Sequence, residues 1–291
     1  MPNILELQEV SRSFGDFTLD RISLTLPRGY IMGFIGPNGA GKTTTIKLIM
    51  NLIKRDSGRI NIFGQDNIIN QKEIKQKIGF VYDENHFFEE LTVDEMKRVA
   101  APFYRNWDEK RYRKYLGDFE LPPRRKIKDL SRGMKTKFSL ALALSHQAEL
   151  IIMDEPTSGL DPVFRSELLD ILQREMQDEK KGILFSTHIT SDLEKIADYI
   201  CFINKGHIIL SDTREEIMST YLLVKGSKNL FNERVRRLML GFRESDFGFE
   251  GLTHQPGEMR KLLGNQVVYE KPSLDQVMLY TVRGDKHDSS N

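Results

Sequence analysis

The sequence holds a single cysteine, Cys201, among its 291 residues. One thiol cannot close an internal disulfide or build a cysteine-based zinc site, and it suits a reducing compartment. Long apolar runs are missing as well, and none approaches the ~20 residues needed to cross a bilayer. A charge excess is absent: 43 basic against 42 acidic residues leave a net charge of +1. Proteins that bind nucleic acid by neutralising phosphates carry a basic excess, so no nucleic-acid partner is expected. The first residues, Met1–Glu6, lack the basic-then-apolar pattern of a secretory signal. What is present is ordinary globular material, 39% hydrophobic, 9% aromatic and 29% charged. At roughly 150 residues per domain, the length allows about two folding units.

The pattern along the chain divides into three kinds of segment. Ile4–Val10 and Phe17–Leu26 alternate apolar and polar residues as half-buried strands do, across a turn at Ser13–Asp16. Tyr30–Ile35 is nearly all apolar, as a strand buried on both faces should be, and a helix is expected over Thr43–Ile53. Gly58–Phe63 and Ile78–Tyr82 read as a further strand pair. From about residue 84 to 148 helical periodicity dominates, over Thr92–Tyr104, Glu109–Phe119 and Arg132–Leu144. Strands return at Leu150–Met153 and Gly182–Ser186, flanking a helix over Val163–Glu179, with a hairpin at Ile200–Leu210. This alternation predicts an α/β fold with a mainly parallel sheet. After about Thr213 the character changes, and residues 216–291 read as a small α+β unit with strands at Leu222–Lys225 and Gln266–Glu270 and a final helix over Ser273–Val282.

Gly36-Pro37-Asn38-Gly39-Ala40-Gly41-Lys42-Thr43 fits G-x-x-x-x-G-K-[ST] without a mismatch, between an apolar strand and a helix. Glycines let successive backbone N–H groups turn inward around phosphate oxygens, and the helix adds the positive end of its dipole. Lys42 is the residue to reach the β and γ phosphates, the Thr43 hydroxyl is placed for Mg²⁺, and Thr44 completes the nucleotide-binding stretch. The apolar run Leu150–Met153 ends in Asp154-Glu155. Asp154 can ligate a metal at the sheet edge, while Glu155 points to the other side of the strand and can polarise a water. An Asp-Glu pair after a strand is also common in polar loops; the phosphate loop in the same chain favours the functional reading. His188, after another apolar strand, is a candidate to contact the γ-phosphate and steady the attacking water, or is satisfied in a helix cap.

Two more segments narrow the choice. Leu130-Ser131-Arg132-Gly133-Met134-Lys135 resembles the signature motif of ABC ATPases, and Ser158-Gly159-Leu160-Asp161 resembles their D-loop. The order of phosphate loop, signature, acidic strand, D-loop and histidine also resembles that family, over roughly residues 3–213. The resemblance implies ATP and Mg²⁺ as cofactors and a phosphate-loop NTPase fold, in which an antiparallel β subdomain and a helical subdomain join the parallel core. It places the ATPase domain at 1–215 and an accessory unit at 216–291. It gives Phe14 the role of the aromatic that stacks on adenine, Ser131 and Gly133 the nucleotide of a partner subunit, and Glu155 and His188 the catalytic roles. Asp83 stands where the family has a glutamine beside Mg²⁺, and Arg132 where it has a glycine. Asp83 either binds the metal or turns outward and leaves its place to water; its shorter side chain favours the second.

The implied function is ATP hydrolysis that drives separate membrane permease subunits, with the chain dimerising around two ATP as a homodimer or heterodimer. The implied location is cytoplasmic, peripheral on the inner face of the cell membrane. A narrower resemblance, to bacterial ATPases of the Ytr type linked to acetoin utilisation and antibiotic response, rests on Tyr82–Asn85 and Ser273–Val282. The alternative is a soluble ABC ATPase acting on ribosomes or DNA, but such proteins carry two phosphate loops, long heptad arms or zinc cysteines. A phosphate-loop kinase gives Leu130–Lys135 no role. His86-Phe87-Phe88 and Ala101–Tyr104 supply aromatics that either receive a short partner helix or pack inside the helical subdomain.

Overall fold

The computed structural model describes residues 2–83 and 86–288. The chain divides into two compact units, one running to Ile189 and taking in Lys195–Ser211, the other joining Thr190–Glu194 to the chain from Asp212 onward.

In the first unit, β1 (Asn3–Phe14) pairs antiparallel with β2 (Phe17–Pro27). The apolar strand β3 (Ile31–Ile35) is buried throughout and leads through the glycine loop into α1 (Lys42–Ile49). That helix stops short of the expected Ile53 because Asn51 turns left-handed, with φ 49°. β4 (Ser57–Ile62) and β5 (Gln65–Asp66) extend the antiparallel sheet in the order β2-β1-β4-β5. A short helix, α2 (Gln71–Lys75), precedes β6 (Ile78–Val81). The expected pairing of Gly58–Phe63 with Ile78–Tyr82 does not form, since β4 joins β1 and β6 joins a different sheet.

The helical segment carries α3 (Val93–Ala100), α4 (Glu109–Asp118) and α5 (Arg132–Leu144). A capping box at Thr92 and Glu95 starts α3, and Pro102 diverts the chain into a single 3₁₀ turn at Ala101–Phe103. β7 (Leu150–Asp154), α6 (Pro162–Glu175), β8 (Gly182–Thr187), α7 (Thr190–Ile196), β9 (Tyr199–Asn204) and β10 (His207–Thr213) follow. The central sheet has the order β10-β9-β3-β8-β7-β6, and its β9-β3-β8-β7-β6 ladders are parallel. Its strands read as unbroken apolar runs because both faces are covered. The parallel ladders align the ends of β3, β7 and β8, so the loops after Ile35, Asp154 and Thr187 emerge at one edge.

The second unit contains α8 (Arg214–Thr220), β11 (Leu222–Gly226), α9 (Glu233–Arg237), β12 (Gly241–Glu244), β13 (Phe249–Thr253), α10 (Pro256–Leu263), β14 (Val268–Glu270) and α11 (Leu274–Asp288). Its antiparallel sheet, β12-β13-β11-β14, buries Val224, Val235, Phe249, Met259, Leu263 and Val267.

Candidate functional site

The glycine loop owes its shape to crowding and to backbone sign. A Cβ on Gly36 would lie 2.3 Å from the Ile203 carbonyl oxygen, so only glycine fits where the loop leaves β3. Gly41, at φ 115°, turns the chain into α1, and a Cβ there would lie 2.9 Å from Leu19 Cδ1. Asn38 and Gly39 form the exposed rim, Pro37 is half-buried and Ala40 is buried beneath. Thr43 and Thr44 are half-buried in the first turn of α1.

The Lys42 ammonium is buried at 6% exposure, 2.7 Å from the Gly36 carbonyl and 3.3 Å from that of Pro37. It also sits 3.2 Å from Glu155 Oε1, an ion pair without hydrogen-bond alignment. The other carboxylate oxygen, Oε2, accepts from the His188 backbone N–H at 3.3 Å and lies 2.8 Å from His188 Nδ1. Lys42, Glu155 and His188 therefore form one chain of contacts. An incoming polyphosphate would compete for Lys42, and in doing so would release Glu155.

The sequence places Glu155 on the strand, but β7 ends at Asp154 and Glu155 adopts a left-handed φ of 48°. A non-glycine residue there carries a strain of roughly 1–2 kcal/mol. The Glu155 N–H holds it in place, reaching the Ser186 carbonyl at 3.1 Å and the Ser186 hydroxyl at 3.2 Å. The turn, rather than the strand pleat, separates the two acids.

Asp154 is fully buried. Burial pushes its carboxyl pKa up, opposed by hydrogen bonds from Ser186 and Thr43, with the Glu155 and Asp83 charges pushing the same way as burial. Ser186 Oγ donates to Oδ1 at 2.6 Å, while Oδ2 has no hydrogen-bond partner. A buried carboxylate oxygen without a partner, beside a threonine hydroxyl, is a hard-oxygen donor set suited to Mg²⁺. Ser186 had no assigned role in the sequence; the signal was a hydroxyl at the end of a buried strand two residues before His188.

The remaining residues lie around this centre. Phe14 is exposed at the β1–β2 tip, with the Arg12 guanidinium 4.8 Å from its ring. Ser131 caps α5 by accepting from the Met134 N–H, and Gly133 lies against Leu160. Asp161 of the D-loop-like segment caps α6, accepting from Val163 and Phe164. The Asp83 carboxylate is engaged by Arg132, at 2.8 Å. Of the two aromatic clusters, Phe87 packs on Phe138 and Tyr104 stacks on buried His146, whereas Phe88 and Phe103 are exposed. Two residues of the stretch Tyr82–Asn85, Glu84 and Asn85, fall outside the described residues.

Comparison with known proteins agrees with this geometry. The ABC transporter family profile matches residues 19–158. The bacitracin transport ATP-binding protein BcrA of Bacillus licheniformis is 33% identical over 233 residues, covering 79% of this chain and 74% of its own length. The ABC transporter ATP-binding protein YtrB of Bacillus subtilis is 30% identical over 223 residues, 76% of each chain. A solved ATP-binding subunit of an ABC transporter superposes with a TM-score of 0.68 at 30% identity, covering 74% of this chain and 92% of that one.

Proposed function

The chain belongs to the ABC transporter family as an ATP-binding, ATP-hydrolysing subunit, and from that premise we propose how its residues divide the work. It pairs with a second ATPase subunit and with membrane permeases; a soluble ATPase acting on ribosomes or DNA is not favoured. The backbone from Gly36 to Gly41 cradles the phosphates of ATP, and Lys42 leaves Glu155 to neutralise them. Phe14, exposed on its hairpin, offers a face to adenine. Asp154 and Thr43 would hold Mg²⁺, which neutralises charge on the β and γ oxygens when bound. Freed from Lys42, Glu155 orients and deprotonates the attacking water, while His188 steadies the carboxylate and faces the γ-phosphate. Ser131 and Gly133 close on the nucleotide of the partner subunit.

No helix among the described residues is long and apolar enough to cross a membrane. Pairing with permease subunits would hold the chain beneath them at the inner face of the cell membrane. Exposed Phe88 and Phe103 on the helical segment are suited to receive a permease helix. The unit running to Ile189 with Lys195–Ser211 carries the ATPase, and the unit that joins Thr190–Glu194 to the chain from Asp212 onward, four residues before the expected start at 216, is accessory.

The observation that carries the catalytic reading is the Lys42–Glu155–His188 chain beside Asp154. Replacing Glu155 by Gln should slow hydrolysis about 10²–10⁴-fold, the usual effect of removing a positioned base. ATP should still bind and should hold the variant as a dimer on size exclusion. Turnover at the wild-type rate would remove Glu155 from the reaction.

A further inference from the structure

Two residues depart from the family pattern described above, Asp83 in place of glutamine and Arg132 in place of glycine. They are 49 positions apart in sequence, yet Arg132 Nη2 donates to Asp83 Oδ1 at 2.8 Å. Asp83 lies two residues beyond β6, and α5, which Arg132 begins, packs on that strand. The Arg132 guanidinium also covers Gly159: a Cβ on that glycine would meet Arg132 Nη1, Cδ and Cζ at 3.6–3.7 Å. From the head of α5, one side chain therefore pairs with the turn after β6 and fills the space a side chain at Gly159 would need.

Electrostatics requires each departure to answer the other. A cation at the first position of a helix faces the positive end of the helix dipole and is unfavourable there unless an anion accompanies it. A carboxylate after β6 adds negative charge near buried Asp154, whose pKa it helps to raise. Paired, the two charges cancel, and the second methylene that Asp83 lacks relative to glutamine is made up by the long arm of Arg132.

We propose that Arg132 is a positioning residue: paired with Asp83 and laid over Gly159, it fixes the turn that presents Ser131 to the partner subunit's ATP. This rests on the reading of Ser131 given above. The pair is solvent-exposed, with side chains 59% and 39% accessible. Its loss should therefore be felt as about a twofold to fivefold effect rather than as misfolding.

The test is a double-mutant cycle in the Glu155→Gln background, reading the ATP concentration that gives half-maximal dimer by light scattering. Asp83→Asn and Arg132→Gln should each raise it about threefold, and the double variant should also raise it about threefold rather than about ninefold. Arg132→Lys should recover part of the loss. ATP affinity in dilute, monomeric protein should hold throughout, which separates positioning from damage to the phosphate loop. Additive losses, or singles that match their parent, overturn the proposal. So does a rise in the Mg²⁺ needed for turnover in an otherwise wild-type Asp83→Asn enzyme, since Asp83 would then be a metal ligand. A Glu155→Gln parent that fails to dimerise with ATP overturns the dimer reading itself, and the ion-pair proposal with it.

Discussion

Asp154 carries a cost that the proposed metal-binding role explains. Its carboxylate is fully buried with one oxygen unpartnered, and burial raises its pKa. A raised carboxyl pKa means the ionised form is disfavoured in the folded chain, so the penalty applies at neutral pH and fades as the pH falls through the folded pKa. A bound cation removes the same penalty. Replacing Asp154 by Asn should therefore raise the melting temperature of the metal-free chain at pH 7 by about 2–4 °C per kcal/mol recovered, while turnover is lost. A lower melting temperature in that variant would mean the ionised carboxylate stabilises the fold by itself. Asp154, Glu155 and Lys42 stand out in the sequence because each sits at a motif position of fixed spacing. It did not foretell that Lys42 and Glu155 would contact one another, or that Glu155 would lie in a left-handed turn, since both depend on residues brought together by the parallel ladders.

Between elements, the helical segment is tied to the parallel core through Glu175 of α6. This carboxylate, 8% exposed, accepts from Arg111 and Tyr115 of α4 and, at 2.6 Å, from Lys181. Burial opposes its ionised form, but hydrogen bonds and charge from Lys181 and Arg111 prevail and hold its pKa below the usual 4.5. A depressed carboxyl pKa contributes stability that is present above the unfolded value and lost as the pH falls through the folded one. Replacing Glu175 by Gln should cost about 3 kcal/mol at pH 7, toward the lower end for a buried pair because Arg111 retains some solvent, and the loss should shrink below pH 4.5. A loss independent of pH would assign the effect to packing. Helix α5 was legible to the residue, since its apolar period and the Ser131 cap coincide. Helix α6 was drawn four residues too long, because nothing in the polar stretch after Glu175 marks its end. Strands β12 and β13 are not legible in the sequence because Gly241 and Gly251 interrupt their alternation.

For the whole molecule, each motif occurs once, and the signature serine caps its own helix rather than the phosphate loop. On the proposed division of roles, two complete ATP sites require two subunits, each lending Ser131 and Gly133 to the other. The parallel core was readable from its unbroken apolar strands; from Asp212 onward β11, β14 and the start of α11 were readable as well, and the short strands β12 and β13 were not. Mixing two crippled chains tests the pairing of subunits. Ser131→Arg should keep its ATP affinity and lose turnover, at a cap cost of about 1 kcal/mol visible as a modest melting shift. Lys42→Ala should lose both ATP affinity and turnover. In the mixed dimer one site lacks both groups and the other is intact, so partial ATPase activity should return when the two inactive proteins are combined. A mixture as inactive as its parts, with Ser131→Arg losing ATP affinity as strongly as Lys42→Ala, would place the signature in the same subunit's site and rule out shared ATP sites.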